Sequence, residues 1–383
     1  MSSTDFLRRM PGSEEAFAKR GSLLKKFHID PILLIALACL TGVGLLVLYS
    51  ASGESLTMVK RQATFIAVGY CVMLIIAQID MDLFRRWAPW LYLVGVGLLV
   101  AVLLVGVGAK GAQRWLALPG LPRFQPSEVM KLALPMTIAW YFAGRALPPT
   151  FKNVFLVLVI IAIPTAMIGS QPDLGTSILI ATSGIFVLYF AGLNWKYVVS
   201  AVALVLAALY PAWHFVLREY QKQRVLTLLN PESDKLGAGW NIIQSKTAIG
   251  SGGIDGKGWL QGTQSQLNFL PESHTDFIIA VLAEEHGLFG VLSLMGLYIV
   301  IIARCLVISS RAQQTFGRLL GGSITMTFAV YIFVNMSMVA GLLPVVGVPL
   351  PLVSQGGTSI VTLMAGFGCL MAIGTEEKRI VES

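Results

Sequence analysis

The chain is written as long apolar runs divided by short polar intervals. Seven runs come first, at 32–49, 63–77, 90–107, 129–143, 154–168, 174–191 and 197–213. A long polar interval, 214–275, follows, and three more runs lie at 277–308, 324–343 and 360–373. Most of the runs approach the ~20 apolar residues that cross a bilayer as a helix. In hydrocarbon every backbone N–H and C=O needs a partner within the protein, which leaves helices or a closed barrel, and barrel strands would alternate with period two. These runs do not alternate. The pattern predicts an all-α integral membrane protein with about ten transmembrane helices and one long extracytoplasmic loop.

The predicted organisation is a cytoplasmic tail over 1–30, a membrane domain over 31–375 that includes the 214–275 loop, and a short cytoplasmic tail over 376–383. No internal repeat or linker separates soluble domains. Asp30 followed by Pro31 reads as an N-cap and first-turn pair for the first span. That span is longer than the ~7–15 residues of a signal-peptide core, so it reads as a retained helix. Glu284, Glu285, His286 and Gly287 interrupt the eighth run.

Composition agrees with the bilayer as solvent: 55% of the 383 residues are hydrophobic and 13% charged, against roughly 25% charged in a soluble domain. The net charge of +8 raises the question of nucleic acid, but the basic residues lie in the N-terminal tail and the short loops, so no nucleic-acid partner is expected. With the N-terminus in the cytoplasm, sixteen Lys or Arg fall on that side and five in the opposite short loops. The positive-inside rule selects this orientation, in the inner membrane, with both termini cytoplasmic and 214–275 outside. Cys39, Cys71, Cys305 and Cys369 sit inside apolar runs and read as packing residues, with neither disulfide nor zinc spacing.

Polar side chains at membrane depth are costly and ask for a reason. In FQPSEVMKLALP, Glu128 and Lys131 are three residues apart, share a helix face and can pair, and Pro135 predicts a kink nearby. The pair reads either as a packing device or as part of a polar cavity open to the outer face. In SQPDLGTS, Asp173 by itself reads as a turn or cap residue. KGAQRWLALPGLPRF reads as interfacial, with Trp115 and Phe124 buried and Arg114 and Arg123 near headgroups. The glycine-rich AIGSGGIDGKGW around Lys257 fails as a phosphate loop, whose pattern needs glycine at Ser251 and serine or threonine at Gly258. In LPESHTDFIIAVLAEEHG, Asp276 stands where the outer loop meets a membrane helix, as a cap or as a catalytic group. Glu284 follows about 12 Å along a helix, beyond the roughly 5–9.5 Å of carboxylate pairs that share one glycosidic bond, so Asp276 would act alone. His274 is assigned no role.

Together and in this order, QPSEVMKLALP, QPDLGTS, the glycine-rich outer loop, LPESHTDFIIAVLAEEHG and GLLPVVGVPLPLVSQGG resemble the SEDS family from about Asp30 onward. NPESDKLGAGWNIIQSKTAIGSGG resembles its elongation branch more than its division branch. The resemblance implies a ten-span peptidoglycan glycosyltransferase that polymerises lipid II into glycan strands at the outer face of the bacterial cytoplasmic membrane. It further implies a role in cell elongation and shape, and a class B penicillin-binding protein, a transpeptidase, as partner. The family's required aspartate falls on Asp276, and function-linked positions fall on Glu128, Lys131 and Asp173. Gln355 departs from the pattern, since related sequences commonly carry tyrosine there; Gly356 and Gly357 are in place.

A sugar on a lipid diphosphate already has a good leaving group, so one carboxylate base and no general acid is the expectation. Asp276 would take the acceptor's 4-hydroxyl proton, with inversion at the donor's anomeric carbon. Lys131, Arg114 and Lys246 are the cations nearest that face to stabilise the departing diphosphate. A divalent cation could share the task, though no pattern identifies a metal site. Two other readings stay open: a flippase for the lipid-linked precursor, and a non-catalytic scaffold for the transpeptidase.

Overall fold

The structure is a computed structural model that describes residues 28–109, 112–116, 124–217, 219–234, 237–266 and 273–375. The tails before His28 and from 376 onward, and Lys110 and Arg123 in the expected interfacial segment, lie outside the described residues. A helix forms on each of the ten apolar runs. In chain order come α1 (Pro31–Ala51), α2 (Leu56–Ala77), α3 (Met81–Val105), α4 (Pro126–Ala143), α5 (Phe151–Ser170), α6 (Leu174–Phe190) and α7 (Trp195–Pro211). The long polar interval contains α8 (Glu219–Leu229), α9 (Ala238–Gly252) and α10 (Thr263–Gln266), and α11 (Ile278–Arg311), α12 (Thr315–Val339) and α13 (Thr358–Thr375) complete the fold. Among the described residues seven helices, α1–α3, α5 and α11–α13, are long and apolar enough to cross a membrane. Helices α6 and α7 have 17 residues each, and α4 carries the Glu128–Lys131 pair and contains Pro135 without interruption.

The packing is that of a protein dissolved in lipid. Large apolar side chains such as Leu104, Phe155 and Phe289 are exposed around the bundle, a surface that water would not tolerate and acyl chains would cover. Helices α12 and α13 form the centre, with 61% of their apolar windows buried against 22% in the outer α2 and α3. Hydroxyls tie the helices together where apolar contact gives no preference over lipid. Thr137 of α4 donates to the Ala88 carbonyl of α3 at 2.9 Å, and Ser323 of α12 to the Ser183 carbonyl of α6 at 2.7 Å.

Two sets of contacts define the two ends of the bundle. Asp30 caps α1 through the Leu33 amide, at 2.9 Å, and accepts from Arg304 of α11 at 2.5 and 3.1 Å. Beside it, His28 Nδ1 lies 2.7 Å from the Thr375 hydroxyl at the end of α13. At the opposite end Ser50 of α1 donates to Glu285 of α11, and the Ser273 hydroxyl donates to the Ala51 carbonyl. The start of α1 and the end of α13 therefore share one side, and the long interval covers the other.

Between α12 and α13, residues 340–357 form no regular element, yet Val348, Leu350, Leu352 and Val353 are only 1–3% exposed. The segment packs on Gly44 of α1, where a Cβ would lie 2.8 Å from the Leu352 carbonyl oxygen. Gly44 is about 10 Å along the helix from the α1 terminus, so this backbone dips below the helix end. Irregular backbone is tolerated at that depth only where protein surrounds it or a cavity lies beside it.

Helix α11 is broken at Gly287 (φ 60, ψ −156), in the interrupted stretch noted above. The break releases two helical pairings, and the glycine-rich loop takes over both sides of each. The carbonyls of Glu284 and Glu285 accept from the amides of Lys257 and Gly258, while the amides of Leu288 and Phe289 donate to the carbonyls of Gly253 and Ile254. The backbones approach so closely that a Cβ on Gly256 would lie 2.2 Å from Glu285 O, and one on Gly287 2.3 Å from Ile254 O. The Lys257 ammonium turns inward to the buried Glu284 carboxylate at 2.7 Å. Glycine content here serves this insertion. Gly287→Ala should cost about 3 kcal/mol through combined overlap and backbone strain, lowering the thermal midpoint of the detergent-purified protein. Gly42→Ala, where a Cβ meets nothing within 4 Å, should leave it unchanged; equal behaviour of the two variants would contradict the insertion.

Candidate functional site

A cavity of about 270 Å³ lies at the end of the bundle away from His28 and Thr375, between α4, the start of α6, α12 and the irregular 347–359 backbone. Its polar wall begins with α4. Pro126 occupies the first helical turn, and Glu128 falls at the helix N-terminus, where the macrodipole favours a carboxylate. One turn on, Lys131 Nζ reaches Glu128 Oε1 at 2.6 Å and stands 5.1 Å from the centre of the Tyr331 ring. The pair is buried, and it also lines the cavity. Glu128 Oε2 is buried without a hydrogen-bond partner among the described residues, and the Tyr331 hydroxyl is buried beside the Lys131 ammonium, so a polar atom there is left for a ligand or water.

Asp173 caps a helix and also lines the cavity. Its Oδ1 caps α6 through the Thr176 amide at 3.2 Å, while Oδ2 receives Gln125 Nε2 at 3.3 Å and faces Arg114 Nε at 3.6 Å. In and just before the segment expected at the lipid interface, an antiparallel pair forms, β1 (Val107–Ala109) and β2 (Ala112–Trp115), followed by a bridge between Leu116 and Phe124. Trp115 and Phe124 are half-buried. Pairing of the two strands satisfies their backbone, and Arg114 reaches the carbonyls of Gln171 and Pro172 and lines the cavity.

Asp276 lies at the rim. The turn 273–277 precedes α11, and Phe277 rather than Asp276 occupies its N-cap position. The Asp276 side chain is half-buried, and its Oδ2 sits 3.6 Å from where a Cβ on the cavity-lining Gly347 would be. The backbone carrying it is held at three successive carbonyls. His274 O accepts from the Gln355 amide at 2.9 Å, Thr275 O from Ser354 Oγ at 2.5 Å, and Asp276 O from Asn335 Nδ2 at 2.8 Å. Gln62 of α2 completes the assembly by donating to Ser354 O and accepting from the Gly356 amide. Gln355 thus contributes its amide N–H, a group any residue but proline supplies.

Of the six residues singled out by sequence, Arg114, Glu128, Lys131 and Asp173 share the cavity wall and Asp276 adjoins it. Lys246 is apart: it is exposed on α9, with its ammonium end over Gly341, and does not line the cavity. Sequence reasoning passed over Tyr331, Asn335, Gln62 and Ser354. Asn335 and Tyr331 did carry a signal, as polar groups inside an apolar run. Among the described residues no group of three or more His, Cys, Asp or Glu side chains is arranged to hold a metal ion, and both cavity carboxylates are already paired with cations.

The fold and site define a polytopic membrane protein with a polar cavity below one face. The chain belongs to the FtsW/RodA/SpoVE family of cell cycle proteins, whose model matches residues 31–379. It is 53% identical over 358 residues to the Escherichia coli K12 protein called peptidoglycan glycosyltransferase MrdB, covering 94% of this chain and 96% of that one. It is 38% identical to a probable peptidoglycan glycosyltransferase FtsW of Trichlorobacter lovleyi, over 92% of this chain and 95% of the relative. Among solved structures, a chain from work on the structural coordination of polymerization and crosslinking by a peptidoglycan synthase complex superposes with a TM-score of 0.80. The two are 28% identical, with 91% of this chain and 98% of the other covered. The rod shape determining protein RodA of Thermus thermophilus gives 0.68 at 25% identity, covering 90% and 96%.

Because Glu128 and Lys131 are buried together, removing one charge strands the other. Glu128→Gln or Lys131→Met alone should destabilise by about 3–5 kcal/mol, and the double variant by clearly less than either. Thermal unfolding of the four proteins in detergent reads the coupling; additive losses would show that the two side chains act independently.

Proposed function

We propose that the protein is a peptidoglycan glycosyltransferase that polymerises lipid II at the outer face of the cytoplasmic membrane, in cell elongation and shape maintenance. The observation that carries the reading is the carboxylate of Asp276 held beside a cavity whose wall presents Lys131 and Arg114, in a chain closely similar to proteins of that name. The positive-inside distribution of Lys and Arg supports placing this end of the bundle outside, with both termini cytoplasmic.

In this mechanism Asp276 accepts the proton of the acceptor sugar's 4-hydroxyl as that oxygen attacks the donor's anomeric carbon. The bond from that carbon to the lipid diphosphate breaks, and its electron pair leaves with the diphosphate. A single displacement inverts the anomeric centre. The departing group is already a stabilised anion, so protonation by a second carboxylate is unnecessary. Arg114 and Lys131 bear the charge that develops on it, while Glu128 and Asp173 orient the two cations. Lys246, outside the cavity, has no part in this step. The partner is a class B penicillin-binding protein that crosslinks the emerging strand.

Purified protein with its transpeptidase partner and lipid II in detergent should make glycan strands without a second compartment, which a flippase or scaffold does not do. Asp276→Asn should lower the rate by about 10²–10⁴-fold, the range of general-base catalysis, with folding and partner binding kept. A folded, partnered preparation that makes no strands beside an active reference polymerase removes the enzyme reading. Near-normal turnover in Asp276→Asn removes the base assignment alone.

A further inference from the structure

We propose that Asn335 is a positioning residue for the Asp276 carboxylate, acting with Ser354 to fix the 274–276 turn against the cavity wall. The inference rests on the proposed role of Asp276. Asn335 lies on α12 and is 0% exposed. Its amide nitrogen donates to two carbonyls at once, Asp276 O at 2.8 Å and Val348 O at 2.8 Å. One acceptor belongs to the residue that bears the carboxylate. The other follows Gly347, the cavity-lining residue against which that carboxylate lies. A single planar NH2 group therefore sets the distance between carboxylate backbone and cavity wall.

Stability alone does not account for this residue. Asn335 Oδ1 is buried and has no hydrogen-bond partner among the described residues, an unfavourable arrangement for a side chain deep in the bundle. With two carbonyl acceptors on one side, only the NH2 end can face them, so the oxygen is necessarily the end left over. Ser354 repeats the bridge one residue earlier. Its hydroxyl accepts from the Leu350 amide at 2.8 Å and donates to Thr275 O at 2.5 Å. Neither Asn335 nor Ser354 meets a proton in the reaction. Losing either removes none of the reacting or charge-bearing groups but frees the turn that carries Asp276 to shift, and a displacement near 1 Å costs about 10²-fold in rate.

The test uses the full chain with its transpeptidase partner and lipid II, comparing Asn335→Leu, Ser354→Ala and Asp276→Asn with the parent. Leucine keeps the branching of asparagine at Cγ, in a larger side chain, and removes both donors. Asn335→Leu should lower kcat about 10- to 100-fold with KM within about twofold, since a group that acts only on the reacting step leaves ground-state binding alone. Ser354→Ala should move kcat in the same direction. Unchanged kcat in both variants, while Asp276→Asn is inactive, overturns the positioning role and leaves the base assignment standing. A raised KM with kcat retained also overturns it, as does loss of folded protein in both variants. Normal turnover by Asp276→Asn instead removes the base reading from which the inference starts.

Discussion

The constraint on which the structure depends is that no backbone polar group can be left unpaired where water is scarce. Within the ten long helices the constraint is met locally and leaves little to choose. It becomes informative where a helix stops early or breaks, because each released N–H or C=O must then find a partner from elsewhere in the chain. At Gly287 the partners come from the glycine-rich loop; ahead of α6 the carbonyls of Gln171 and Pro172 take Arg114; and 274–276 takes Asn335, Ser354 and Gln355. Each repair brings side chains from distant parts of the sequence to the same end of the bundle. The cavity lies beside these interruptions, and Arg114, Ser354 and Gln355, which pair with the released groups, share its lining with Glu128 and Lys131 of the uninterrupted α4.

This view separates what was legible in the sequence from what was not. Spans are encoded by composition over a window, and the cap at Asp30 and the pairing of Glu128 with Lys131 are encoded by spacing within one turn, so all three were readable. The break in α11 was visible as charge and glycine within an apolar run. What fills the break was not, because Lys257 and Glu284 meet through tertiary packing across 27 positions. The same holds for Arg114, whose direction follows from a strand pairing too short to show a period-two pattern. Lys246 illustrates the converse. Placing a cation in the long polar interval does not place it in the cavity wall, since the interval folds back over α11 and α12, where Ser245 bonds the Val339 carbonyl.

Charge in the cavity is balanced before any substrate enters. Two carboxylates face two cations, so the empty protein avoids an uncompensated charge at membrane depth, and any anion that binds must gain by redistributing contacts that already exist. The two pairs are not equal in this respect. Lys131 holds Glu128 at 2.6 Å, with side chains 12% and 6% exposed, whereas Arg114 stands 3.6 Å from Asp173 and is 32% exposed. Arg114 also retains carbonyl partners at Gln171 and Pro172 that fix its guanidinium without neutralising it. An incoming anion therefore meets a preorganised cation in Arg114 at little cost in lost pairing. Lys131 is the more deeply committed charge, and its ammonium turns to the anion only if Glu128 keeps a share of it or Tyr331 takes up the slack. In the proposed reaction, a wall built this way would grip the diphosphate from the mouth first and from the depth second, the order in which a lipid-borne substrate would arrive.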